Sequence, residues 1–234
     1  MVLPRCVEPE WGDRIPAGDP LAQRLRRDLQ RINALAMTDR PLADALLHHC
    51  GGEPPRTILD LGSGDGTVML RLAQRLSPRW KSVTVTLLDQ QDFVSPETRA
   101  AFAALGWTVE TKTDDVFRFL GQAKPGIDVI TANGFLHHFH EPQLSTLLAL
   151  AARVSRLIVA AEPRRTRFCL RLSWWVWVLG VSSVFRQDLI TSIKAGFKHQ
   201  ELSALMARDT GWTTEESDPS AFIHLFVAKR RAAG

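Results

Sequence analysis

The chain has 234 residues, 45% of them apolar and 23% charged, with a formal net charge of +4. These values exclude a disordered or low-complexity protein and describe a single domain of ordinary size with a substantial core. The positive excess comes from arginines scattered along the chain, without the aromatic-interleaved basic stripe of a nucleic-acid binder. Cys6, Cys50 and Cys169 are far apart and outside any C-x-x-C pair, as in a reducing, cytoplasmic setting. Residues 1–20 hold prolines and charges where a secretory signal would hold an apolar run.

Pro4, Pro9, Pro16 and Pro20 mark residues 4–20 as an irregular arm. Leu21, Leu25, Leu29, Ile32 and Ala36 then recur at helical spacing with Arg24, Arg26, Arg27 and Arg31 between them, which predicts an amphipathic helix. A second helix is expected from Pro41 through Leu42, Leu46 and Leu47, ending at Gly51-Gly52. We read 1–50 as an arm with cap helices and 51–234 as the main domain.

That domain opens on Thr57–Gly66, T-I-L-D-L-G-S-G-D-G. Ile58, Leu59 and Leu61 suit a buried parallel strand. Gly62, Gly64 and Gly66 make a turn without Cβ atoms, and Val68, Met69, Leu72 and Leu76 start a helix directly behind it. Strand, glycine turn and helix N-terminus form a nucleotide-type cradle with free N–H groups. The spacing is not that of a dinucleotide site, because Thr67 stands where G-x-G-x-x-G needs its third glycine. No Walker loop is present either. Asp60, ahead of the glycines, repels phosphate and suits a cationic ligand.

Four more strands follow: Ser82–Leu88 ending in Asp89, Trp107–Thr111 followed by Asp114-Asp115, Ile127–Ala132 followed by Asn133, and Leu157–Ala161 followed by Glu162. Asp89 sits at a strand's carboxyl end, where α/β sheets bind ligands, at about the distance from the glycines at which a carboxylate grips ribose hydroxyls. His137 and His138 are the best general-base candidates because imidazole titrates near neutral pH. No carboxylate stands at metal-ligand spacing to His137, His138 and His140, so no metal is expected. Leu172–Phe185 carries no charge and holds Trp174, Trp175 and Trp177, which do not share one helical face. With 14 residues it falls short of the roughly 20 that span a bilayer. It is read as a pocket lid, a core helix or a piece that contacts a membrane interface. Trp212–Glu216 and Ala221–Lys229 predict a terminal hairpin. Both faces of its second strand are apolar, so that strand should be internal, with His224 packed inside.

The D-x-G-x-G-x-G run in this setting resembles the first motif of class I S-adenosylmethionine-dependent methyltransferases, and the resemblance extends from about Leu42 to Arg230. The runs N-G-F-L-H-H-F, A-E-P-R-R and K-A-G-F-K-H-Q-E-L resemble small bacterial methyltransferases of polyketide and phenolic-lipid pathways and, more distantly, the ubiquinone/menaquinone type. The resemblance implies a Rossmann-like α/β fold, a mostly parallel seven-stranded sheet with an antiparallel C-terminal hairpin, and N-terminal helices. S-adenosylmethionine is the implied cofactor, held by Asp60, Gly62, Ser63, Gly64, Asp89, Gln90, Asp115, Val116 and Asn133, with Asp115 on the adenine amino group and Val116 over the ring. Phe135, Glu162, Trp174 and Trp177 are the implied acceptor contacts, the last two within an apolar insertion at about 166–195. The expected reaction is O-methylation of a phenolic hydroxyl on a small, largely apolar aromatic or lipid-like acceptor. C- or N-methylation of a quinone or amine, and a non-catalytic binding protein of this fold, are the alternatives. Peripheral membrane contact and the choice between monomer and homodimer stay open.

Overall fold

The computed structural model describes residues 3–12, 15, 19–51, 53–206 and 211–231. Seven strands form one sheet: β1 (Thr57–Leu61), β2 (Thr84–Asp89), β3 (Thr108–Thr113), β4 (Ile127–Asn133), β5 (Ser155–Pro163), β6 (Trp212–Ser217) and β7 (Ile223–Arg230). Their order is β3-β2-β1-β4-β5-β7-β6. The first five run parallel, and β7 lies antiparallel between β5 and β6. This is the parallel sheet with an antiparallel end that the sequence predicts, with β7 internal. The chain leaves β1 toward β2 on one side and returns to β4 on the other. That reversal opens a crevice above the carboxyl ends of β1 and β4.

Side chains alternate across the sheet, so two apolar layers form. Ile58, Val85, Val129 and Val159 face α2 (Asp39–Cys50), α3 (Thr67–Leu76) and α4 (Pro96–Ala104), where Leu42, Leu46, Leu72, Leu76 and Phe102 complete one core. Leu59, Leu61, Ile130 and Ile158 face α5 (Val116–Gln122), α6 (Glu141–Val154) and α9 (Glu201–Leu205), whose Leu120, Leu144, Leu148 and Leu202 complete the other. The outer strand β3 carries polar side chains and little buried surface, which blunts its free edge.

Several boundaries differ from the sequence reading. The second helix begins at Asp39, because a proline within the first turn needs no N–H partner and does not have to come first. Buried Asp39 is bridged by Arg75 and lies 3.7 Å from the Arg71 guanidinium, which pins α2 onto α3. Glu162 and Pro163 belong to β5 and do not follow it. Ser192–Ala195 ends α8 (Ser183–Ala195), so that helix reaches the end of the insertion. The charge-free stretch divides into α7 (Arg167–Ser173), a short 3-10 turn at Val176–Leu179 and the start of α8. In α1 (Pro20–Ala36) the apolar stripe is only partly buried: Leu25 packs inside, while Leu21 and Leu29 stay exposed.

Leu72 is fully buried between the sheet and α2. Replacing it by Ala should cost about 2–5 kcal/mol, and calorimetric melting should show a fall of several degrees with the fold retained.

Candidate active site

The glycine turn does what its composition predicts. Gly62, Gly64 and Gly66 have φ of 64°, 55° and 76°, a left-handed region that costs other residues energy. Ser63 N–H donates to the Leu88 carbonyl at 3.1 Å, and Gly64 N–H donates to Asp89 Oδ2 at 2.9 Å. The turn is thus tied to the end of β2. A Cβ on Gly64 would enter open space, whereas one on Gly62 would sit 2.1 Å from the Phe135 ring. Asp60 is buried below the turn, with Oδ1 accepting from the Thr131 hydroxyl at 2.7 Å. Burial pushes its carboxyl up to about 7, opposed by that hydrogen bond and reinforced by the charge of Asp89. Two acidic groups facing one open cradle favour a ligand that brings positive charge.

The other expected cofactor residues gather at the same edge. Asp115 caps α5, its Oδ1 accepting from Phe117 and Arg118 N–H at 3.0 Å each, and Val116 is buried behind it. Asp114 is engaged by Arg118. Gln90 is exposed beyond β2, and Asn133 closes β4.

A second constellation holds the histidines. Glu162, at the end of β5, has a side chain with no exposed surface. Its Oε1 accepts from Phe135 and Leu136 N–H at 3.0 and 2.8 Å, and its Oε2 accepts from His137 N–H at 3.3 Å and from His137 Nδ1 at 2.8 Å. One carboxylate therefore satisfies the start of the 3-10 turn Leu136–His138 and orients its first histidine. His137 Nε2 faces Glu10 Oε1 at 3.4 Å, and Glu10 also accepts from the Ser192 hydroxyl. Burial opposes charge on the His137 ring, but the hydrogen bonds and charges of Glu10 and Glu162 outweigh it and raise its pKa to about 9. Both carboxylates are in turn held below their usual range despite burial. The ring of His138 lies 4.3 Å from that of His137, at 31°.

Glu10 is the residue that sequence reasoning missed. It lies on the irregular arm, where no periodicity assigns a direction to a side chain. The arm is stitched down by Arg5, which donates to the carbonyls of Ala195, His137 and Phe139, and by Asp188, which accepts from Trp11 and Gly12 N–H. Glu10, His137 and His138 place one possible ligand atom each within 4.8 Å of one another, so tertiary structure supplies the carboxylate whose absence argued against a metal. As it stands, the group is an ion pair and hydrogen-bond chain.

Beside this edge lies a cavity of about 420 Å³, roofed by Ile32, Asn33 and Ala36 of α1 and walled by Leu172, Trp175 and Leu179. Its floor is Asn133, Gly134 and Glu162. Trp174, expected at the acceptor, is not part of this wall: it is exposed, under the Arg186 guanidinium at 5.3 Å. The α-helical phase ends at Ser173, and the turn that follows swings Trp175 to the cavity instead. The side chain of Trp177 lies outside the described residues. Phe135 packs against Gly62 and edge-on to Phe139 at 5.1 Å, at the glycine turn and not at the cavity wall. Thr38 lines the cavity with its buried hydroxyl unpaired among the described residues.

The sheet order and the position of the glycine turn are those of the class I methyltransferase fold. Residues 58–156 match the family described as "Methyltransferase domain". No curated relative matches the sequence. Among solved structures, the plantazolicin methyltransferase BamL, with SAH and a triazolic desmethylPZN analogue, aligns at a TM-score of 0.63 and 12% identity over 92% of this chain and 93% of that one. The plantazolicin methyltransferase BpumL with a pentazolic analogue aligns at 0.62 and 16% identity over 91% and 92%. Magnesium protoporphyrin IX methyltransferase from Synechocystis PCC 6803 with SAH aligns at 0.52 and 16% identity over 92% and 89%. At these identities the likeness is one of fold.

The His137 cluster carries a pH signature. Raised from 6.5 to about 9, the ring contributes stability that is fully present below about 6.5 and is lost as pH rises through 9. Wild-type melting temperature should therefore fall between these limits, while that of His137→Asn changes less over the same range. Parallel curves for the two proteins would mean that the charged ring contributes nothing.

Proposed function

We propose that this protein transfers a methyl group from S-adenosylmethionine to the phenolic hydroxyl of a small, largely apolar aromatic acceptor. The observation that carries the reading is the apolar cavity joined through Asn133, Gly134 and Glu162 to the strand edge that bears the glycine turn. The cradle fits the cofactor, since Gly64 leaves open space and Asp60 and Asp89 offer two carboxylates to a cationic ligand. Asp60 and the backbone of Gly62, Ser63 and Gly64 would hold the methionine part, Asp89 and Gln90 the ribose, and Asp115 with Val116 the adenine. When bound, the cofactor supplies a methyl group made electrophilic by its sulfonium.

The chain's own contribution is then alignment, exclusion of water and removal of a proton. Holding an acceptor in line accounts for as much as about 7–11 kcal/mol of barrier reduction. The apolar roof of α1 and the wall of Leu172, Trp175 and Leu179 keep water from the acceptor. Asn33, Thr38 and Asn133 are the polar groups that orient it, with the unpaired Thr38 hydroxyl the most exacting. The structurally similar plantazolicin methyltransferase holds a triazolic analogue, and another similar protein is a magnesium protoporphyrin IX methyltransferase; azoles and porphyrins are flat rings, which favours a flat aromatic acceptor here.

A phenol of pKa near about 10 must lose its proton as its oxygen takes the methyl. His137 keeps both ring nitrogens on carboxylates and holds its proton to about pH 9, so in this reading it positions the turn. His138 is left as the base, because the oxygens of Glu162 are taken by the turn and by His137.

Asp89→Ala should weaken S-adenosylmethionine binding by up to about a hundredfold in calorimetry, the worth of one or two hydrogen bonds to a charged group. Tight binding of a nicotinamide dinucleotide in place of S-adenosyl ligands would overturn the cofactor assignment.

Mass-spectrometric profiling of products from a panel of phenols, quinones and amines should give methyl ethers of phenols. His138→Ala should lower turnover of the best phenol by about 10²–10⁴ at neutral pH with cofactor affinity unchanged. Products methylated only at carbon or nitrogen would remove the phenol reading, and unchanged turnover would remove the base.

A further inference from the structure

Six residues that line the cavity, Leu35, Leu172, Trp175, Val178, Leu179 and Phe222, are also large apolar side chains exposed on the surface. Trp175 and Val178 keep 66% and 64% of their area in solvent. The patch continues past the cavity mouth to Phe168 and Trp174, exposed by 58% and 62%. Monomeric soluble proteins rarely leave so much connected apolar surface in water without a partner for it.

Charge narrows the choice of partner. From Pro163 to Gln187 the sequence holds five arginines and no acidic residue. Arg165 is buried on Glu201, and Arg164 pairs with Asp218 at 2.8 Å. Arg167 and Arg171 are exposed and form no ion pair among the described residues, and Arg186 lies against Trp174. On α7 the outward positions read Arg167, Phe168, Arg171 and Leu172, while Cys169 and Ser173 face inward. Apolar side chains flanked by arginines, with tryptophan among them, form the pattern that enters the headgroup layer of a bilayer. No described helix is long and apolar enough to cross a membrane, so such contact lies at the surface.

We propose that α7 and the 3-10 turn dock on an anionic lipid surface, with the cavity mouth opening toward the bilayer. The apolar rim enters the headgroup region, and Arg167, Arg171 and Arg186 meet lipid phosphates. An acceptor dissolved in the membrane then reaches the cavity without crossing water. The proposal uses the cavity's position but not the identity of the acceptor. Its failure would leave methyl transfer untouched, and a failure of methyl transfer would leave the docking surface standing.

The test is flotation of the full chain with phosphatidylcholine vesicles with and without phosphatidylglycerol, together with sedimentation velocity in the absence of lipid. The protein should float with the anionic vesicles, and far less with phosphatidylcholine alone or at high salt. Arg167→Glu/Arg171→Glu should lower the partition coefficient by about tenfold or more, since each basic residue near an anionic surface contributes and reversal adds repulsion. Phe168→Ser/Trp174→Ser, at two positions that do not line the cavity, should lower it as well. If that variant does not fold, the charge reversal at the exposed Arg167 and Arg171 carries the test. Wild-type protein that stays with the buffer, or both variants floating as wild type does, would overturn the proposal. So would a dimer in sedimentation that Phe168→Ser/Trp174→Ser dissolves while vesicles bind nothing, because the patch would then belong to a second copy.

Discussion

Most of the active-site edge hangs on one buried carboxylate, Glu162. It receives three backbone N–H groups from the turn after β4 and the Nδ1 of His137, with all its oxygen capacity used inside the protein. Burying an anion costs several kcal/mol unless hydrogen bonds and a counter-charge replace its water, and both are present here. The turn cannot shift without stranding that charge. The same residue lines the cavity, so the cavity floor and the turn that holds the histidines are joined through one side chain.

From that unit the constraint spreads both ways. Through His137 it reaches Glu10 and the N-terminal arm, which Arg5 and Asp188 bind to α8 and to the same turn. Through Phe135 it reaches Gly62, whose missing side chain makes room for the ring. Glycine there serves two needs, the left-handed backbone and the contact with Phe135. The glycine turn and the cavity thus share a wall built from β4, β5 and the turn between β4 and α6.

The surface around the cavity follows from the insertion after β5. A segment this apolar has no place in the sheet's two cores, which α2–α4 and α5, α6 and α9 already fill. It therefore lies over the strand ends, giving Leu172, Trp175, Val178 and Leu179 to the cavity and leaving Trp174 in solvent.

The parallel sheet, the glycine turn and the places of Asp60 within β1 and Asp89 at the end of β2 were legible from residues alone. Each rests on a local rule: alternation along a strand, left-handed backbone that glycine tolerates, a carboxylate at a strand's carboxyl end. The internal placement of β7 was legible for the same reason, since both its faces are apolar. His224 is buried as expected, but its pairing with Glu216 and Asp218 joins residues that only hairpin closure brings together. Glu10 could not be read, because it sits 127 positions from His137 on an arm without periodicity. Nor could the exchange of Trp174 for Trp175, since a helix that stops at Ser173 resets the phase that spacing arguments depend on. The charge state of His137 belongs to the same class. A histidine's own chemistry places it near neutrality, and the two carboxylates folded against it, one from β5 and one from the arm, move it to about 9.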